Sequence, residues 1–220
     1  MVSSAAVRVY DIERFTLKEM TLCGQSLRQI GTASTTLEEV ASKTCEQLYE
    51  QVVTQRGERA FALVQFFHAS SNTLSMLAAA GANTNEKETL EDQTVQLYNG
   101  TPSSPIVMQM LSAFGVIKEI PALPKAELLV DGDQKQYNVF YIPDAQTSLL
   151  FAQQGEFVER FGIKSVIGYG GLLPSGRIFA CLMFAKVLIP TQTAQLFKPF
   201  ALNTKLAVLP FDGDPSVKET

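Results

Sequence analysis

The chain has 220 residues, of which 46% are hydrophobic and 18% charged, with a formal net charge of -4; this is ample for a buried core and excludes disordered or collagen-like composition. The acidic balance argues against a nucleic-acid partner. The longest uninterrupted apolar run, Ile178 to Ala185, falls far short of the roughly 20 residues of a membrane-spanning helix. Arg8 and Asp11 precede any apolar stretch, so no secretory leader is read, and three cysteines without close pairs suit a reducing compartment. The expected location is the cytoplasm, away from membranes.

Residues 1–57 read as an N-terminal helical segment. Ile12, Thr16, Met20, Cys23, Leu27 and Ile30 fall on one stripe at helical spacing, with Phe15 and Leu22 off it and Gly31 as the stop. Thr36 and Glu39 have the spacing of a capping box, and Leu37, Val40, Ala41, Thr44, Cys45, Leu48 and Val52 continue the face of a second helix that ends near Gln55 to Gly57.

Residues 58–211 read as the main domain. Phe61, Leu63, Val64, Phe66 and Phe67 are too dense and aromatic for a surface helix and predict a central strand, followed by a second over Thr73 to Ala80. Gly81 to Thr101 is a polar loop with a short strand near Val95 to Tyr98, and a helix started at Ser103 to Pro105 carries Val107, Met110, Leu111, Phe114 and Ile117 inward. Leu128 to Val130 and Tyr137 to Ile142 form a hairpin across Asp131-Gly132-Asp133. After a loop without clear period, Ile163 to Leu173 and Arg177 to Leu188 form a second hairpin across Pro174-Ser175-Gly176. Pro190 and Thr191 open a terminal helix that Pro199 kinks, and residues 212–220 are a polar, flexible tail. Hairpin connections predict an α+β fold, an antiparallel sheet with helices packed on it.

Local motifs give little chemistry. Gly171 to Gly176 has the glycine spacing of a phosphate loop, but Arg177 and Ile178 stand where the lysine and Ser or Thr belong, and a strand follows in place of a helix. The glycines are read as letting a strand twist and bulge. His68, the only histidine, is a candidate general base, haem ligand or polar strand terminus; without a recognisable nucleophile elbow, the structural role is favoured. Cys23, Cys45 and Cys181 lack metal-ligand spacing and read as small buried hydrophobes. No metal or cofactor is expected.

The run Tyr137-Asn138-Val139-Phe140-Tyr141-Ile142-Pro143, then Glu156-Phe157-Val158 and Arg160 to Gly168, resembles the GAF-like sensory region placed ahead of histidine-kinase modules in bacterial signalling proteins. Gly170 to Gly176, Phe197 to Asn203 and Lys205 to Phe211 continue the resemblance, which covers about Gln136 to Phe211. The first half agrees in layout: a leading helix pair, the strand at Phe61 to Phe67 and the helix at Pro105 to Ile117. The resemblance implies a sensor of a small molecule or a protein, without enzymatic activity, acting alone or as the sensor part of something longer. The Asn-Lys-Phe-Asp-Glu set of cyclic-nucleotide-binding GAF domains is absent, and no cysteine has a bilin-attachment context.

The expectation is therefore a cytoplasmic, non-catalytic regulatory domain whose pocket lies between the sheet and the segments from Gly81 to Pro121. Phe66, His68, Met110, Phe114, Tyr141 and Tyr169 are the expected lining, with an unknown small molecule as ligand and a signalling protein such as a kinase as partner. The alternative is an adaptor without ligand that works by helix-mediated association. Ile12, Met20, Cys23, Leu27 and Ile30 form a near-heptad seam expected to pair two chains as a homodimer; a fold-back hairpin with the second helix would instead bury them within one chain.

Overall fold

The computed structural model describes residues 8–70, 73–81, 95–96, 127–128, 137–151 and 155–213. Near the N-terminus, Asp11 caps a 3-10 turn over Ile12–Arg14. Helix α1 then runs Leu17–Thr32 from a true capping box: Glu19 N donates to Thr16 Oγ1 at 3.3 Å, and Thr16 N donates to Glu19 Oε2 at 2.8 Å. Helix α2, Leu37–Gln51, starts at Thr36, whose hydroxyl accepts from Glu39 N. Here the Glu39 carboxylate turns to Thr35 N and Lys43, so only half of the expected box forms.

The strands are β1 (Tyr10–Asp11), β2 (Val52–Val53), β3 (Phe61–Ser70), β4 (Thr73–Gly81), β5 (Val95–Gln96), β6 (Glu127–Leu128), β7 (Tyr137–Ile142), β8 (Ser165–Leu172) and β9 (Ile178–Ala185). β1 and β2 pair in parallel as a small separate ladder. The others form one antiparallel sheet in the order β5-β4-β3-β9-β8-β7-β6, with β3, β9 and β8 at its centre. The hairpin β8–β9 turns at Gly176, which at φ 84° occupies the left-handed region open to glycine. Pairing along β8 is unbroken on both sides, so its glycines create no bulge; the register shifts lie on β3, between Phe66 and Phe67 and between Phe61 and Leu63.

Helix α3, Gly155–Arg160, occupies the stretch where the sequence shows no period. The C-terminal helix is two pieces, α4 (Thr191–Gln195) and α5 (Lys198–Val208). Pro199 starts α5 and kinks nothing, because a first-turn proline has no intrahelical bond to lose. The expected helix over Pro105 to Ile117, the loop from 82 to 94 and the tail from 214 onward lie outside the described residues.

Strand alternation divides the apolar residues into two layers. On the first face, Val64, Phe66, Val139, Tyr141, Ile167, Tyr169, Phe179, Cys181 and Met183 pack under α1, α2 and α5 in one cluster. On the second face, Phe67, Leu74, Phe140, Ile142, Val166, Ala180, Leu182 and Phe184 pack with Leu150, Phe151, Val158 and Ile163 from the α3 region.

The seam expected to join two chains is closed by the chain itself. Ile12, Cys23 and Leu27 are completely buried, Ile30 nearly so, and Met20 packs half-buried against the same cluster. The covering element is mainly α5 rather than α2. Gly31 is the tightest point, since a Cβ there would stand 2.4 Å from Ala207 O; it is a contact between helices, not a helix stop. Phe15, off the stripe, reaches the same core, with its ring 5.9 Å from Phe197 and 6.0 Å from Phe200. Both apolar surfaces of the first segment are thus used within one chain.

Candidate functional site

Four of the expected lining residues lie on the first face, beneath the helices. Phe66 and Tyr169 flank Cys181 in one cross-strand row. Phe66 is fully buried and stacks on Phe179 at 6.3 Å. Tyr169 is fully buried, and its phenolic oxygen accepts from Thr204 Oγ1 of α5 at 3.1 Å. Burial raises its pKa well above the usual tyrosine value, so the ring stays protonated. The Tyr141 hydroxyl donates to the carbonyl of Ile189, just before α4. These aromatics are core members tied to helices, and their polar tips are spent on the chain. Met110 and Phe114 lie outside the described residues.

His68 stands at the end of the same face, opposite Phe179, and is 3% exposed. Burial pushes its pKa down to about 4, and the charge of Arg177 adds to the shift; Asp212 and Glu38 oppose it. Arg177 has one guanidinium nitrogen, Nη1, buried without a hydrogen-bond partner. Asp212 is occupied by the hairpin turn, accepting from Ser175 N at 3.0 Å and from the Ser175 hydroxyl. A neutral imidazole in this corner fits a buried strand terminus. Burial also pushes the Cys23 and Cys181 thiols up to about 12, so neither is a thiolate near neutrality. Among the described residues, no group of three or more His, Cys, Asp and Glu could hold a metal ion.

The second face has different chemistry. One row across it reads Met76, Phe67, Ala180, Gly170, Asn138, and the next reads Ala79, Gln65, Leu182, Gly168, Phe140. Gly168, Gly170 and Ala180 place the smallest residues of this face side by side on β8 and β9, beside Phe67, Phe140 and Leu182, and all six are buried. Two buried amides point to this side. Gln65 Nε2 donates to the thioether of Met76 at 3.4 Å, a weak acceptor, and Asn138 Oδ1 accepts from the adjacent Val139 N at 3.3 Å. A floor of small apolar residues with two amides beside it suits a small molecule that has a polar group at its edge. Among the described residues, no titratable side chain faces this floor.

Sequence reading by residue type favours the aromatics and misses this floor. The signal was present in the alternation of β8, where Ile167 and Tyr169 point one way and Gly168 and Gly170 the other.

No family model matches the sequence, and no curated protein matches it. Solved structures do match the fold. The GAF domain of a phosphoenolpyruvate-protein phosphotransferase from Coxiella burnetii superposes with a TM-score of 0.56 at 11% identity, covering 91% of this chain and 98% of that one. The corresponding GAF domain from Acinetobacter gives 0.52 at 9% identity, covering 90% and 98%. An N-acylhomoserine lactone dependent LuxR family transcription factor from Burkholderia cenocepacia gives 0.51 at 9% identity, covering 90% and 99%. The chain therefore has a GAF-like α+β fold. Identities this low carry the architecture alone. No helix among the described residues is long and apolar enough to cross a membrane.

Proposed function

We propose that the chain is a non-catalytic sensory or regulatory module of bacterial signal transduction, working in the cytoplasm, that binds a small molecule on the second face of its sheet. The observation that carries this reading is the floor of Gly168, Gly170 and Ala180 with Gln65 and Asn138 beside it. Among the described residues such a floor supplies hydrogen-bonding amides and apolar contact but no proton-transfer group, which favours binding over reaction. Met110 and Phe114 remain candidates for the lining. Dependence of the Burkholderia protein on an N-acylhomoserine lactone supports a small-molecule role for the fold, though not that ligand for this chain.

The module acts as a homodimer in this reading and passes its state to a signalling partner such as a kinase. Because the stripe from Ile12 to Ile30 is internal, the dimer contact falls on the outer surface of α1, α5 and the 3-10 turn Leu209–Phe211 that follows it, where Leu17, Leu202 and Leu209 are exposed. Native mass spectrometry of the purified chain tests both parts together. A dimer carrying a retained small molecule is expected; a bare monomer contradicts the reading.

A further inference from the structure

Between β7 and β8 the chain builds a cleft of about 450 Å³, within the size range of small-molecule sites. Its walls are fixed by backbone bonds and by two side chains that cap them. Asp144 accepts from Gln146 N at 2.9 Å, and Ala145 N donates to Lys164 O at 2.8 Å, holding the loop after β7 to the segment that enters β8. Ser148 Oγ accepts from Leu150 N at 3.3 Å and starts the 3-10 turn over Leu149–Phe151. Across the cleft, Ile163 N donates to Val158 O at 2.9 Å and closes the end of α3.

The lining divides by chemistry. Ala145, Phe151 and Val158 are buried members of the second-face core and form an apolar floor. Gln146, Ser148 and Glu159 stand at the rim; each carries a side-chain oxygen, and of the three only Glu159 is charged. Glu159 is the charged group of the lining, with no cationic side chain among the described residues that form it. We propose that this cleft is a second ligand site, for a small molecule that carries an ammonium or guanidinium group on a compact apolar body. The cation sits against the Glu159 carboxylate with the Gln146 and Ser148 oxygens near it, and the body covers Phe151 and Val158. An anionic head on the same body meets repulsion from Glu159.

The test uses three probes with one body and different heads: cyclohexylammonium, cyclohexanol and cyclohexanecarboxylate, titrated into the full chain and followed by the amide signals of Gln146 and Glu159. Cyclohexylammonium binds saturably and the carboxylate binds weakest. Glu159→Gln weakens the ammonium probe by about fivefold, as expected for an ion pair at a part-exposed rim. Glu156→Gln, on the same helix but outside the lining, leaves binding unchanged. Equal binding of the three heads, no saturable binding, or an undiminished affinity in Glu159→Gln overturns the proposal.

Discussion

The hydroxyl of Thr204 on α5 donates to the phenolic oxygen of Tyr169 on β8 at 3.1 Å, inside a fully buried core. This bond ties the C-terminal helix to the middle of the sheet and explains why a tyrosine stands where a phenylalanine would pack as well. Tyr169→Phe leaves Thr204 without this partner, and the expected loss is about 1 kcal/mol in denaturant unfolding. Thr204→Val should cost a similar amount, and the double variant less than the sum. Additive losses would show that the two groups act independently.

His68 links stability to pH. Its folded pKa, about 4, lies below the unfolded value of roughly 6.5. The unfolded chain therefore takes up the proton first, so the stabilisation present above about pH 6.5 is lost as the pH falls toward 4. The contribution of this residue is at most about 3 kcal/mol. Chemical denaturation from pH 7.5 to 4 should show a decline that is shallower in His68→Gln. An unchanged slope in the variant would mean that His68 protonates as readily in the folded chain as in the unfolded one.

Leu27 is completely buried under α5. A charge at this position has no water and no partner, so Leu27→Asp should unfold the chain by circular dichroism at 25 °C rather than release a folded monomer. A folded, monomeric Leu27→Asp from a dimeric wild type would restore the intermolecular seam.

Gly31 meets the backbone of Ala207, with the oxygen 2.4 Å and the Cα 2.6 Å from where a Cβ would stand. Backbone cannot turn aside as a flexible side chain can. Gly31→Ala should cost about 1–3 kcal/mol although alanine favours helices. A gain in melting temperature would show that α1 and α5 separate freely.

Much of the architecture was readable where one period ran long enough. The stripe of Leu37 to Leu48 and the dense aromatics of Phe61 to Phe67 specify α2 and β3, and Pro174-Ser175-Gly176 marks the β8–β9 turn. Helix α3 was not readable because six residues span less than two turns and leave no period to detect. Gly31 looked like a stop because sequence cannot show that another helix approaches it. The site was legible only in part. Phe66, Tyr141 and Tyr169 drew notice as large aromatics, but parity along the strands turns them toward the helices. Gly168 and Gly170 read as glycines that let a strand twist and bulge, whereas their unbroken pairing keeps them in a regular strand, facing the second layer.

That parity also provides the most direct measurement of the central claim. Ala180 and Cys181 are adjacent on β9, both completely buried, and they face opposite layers of the sheet. Ala180→Leu raises a side chain into the proposed floor, whereas Cys181→Val makes a smaller change in the helix-side core. Native mass spectrometry of the folded variants, with melting temperature measured alongside, should find the retained small molecule lost from Ala180→Leu and kept by Cys181→Val. Retention by both, or loss from Cys181→Val alone, would contradict a ligand site on the second face.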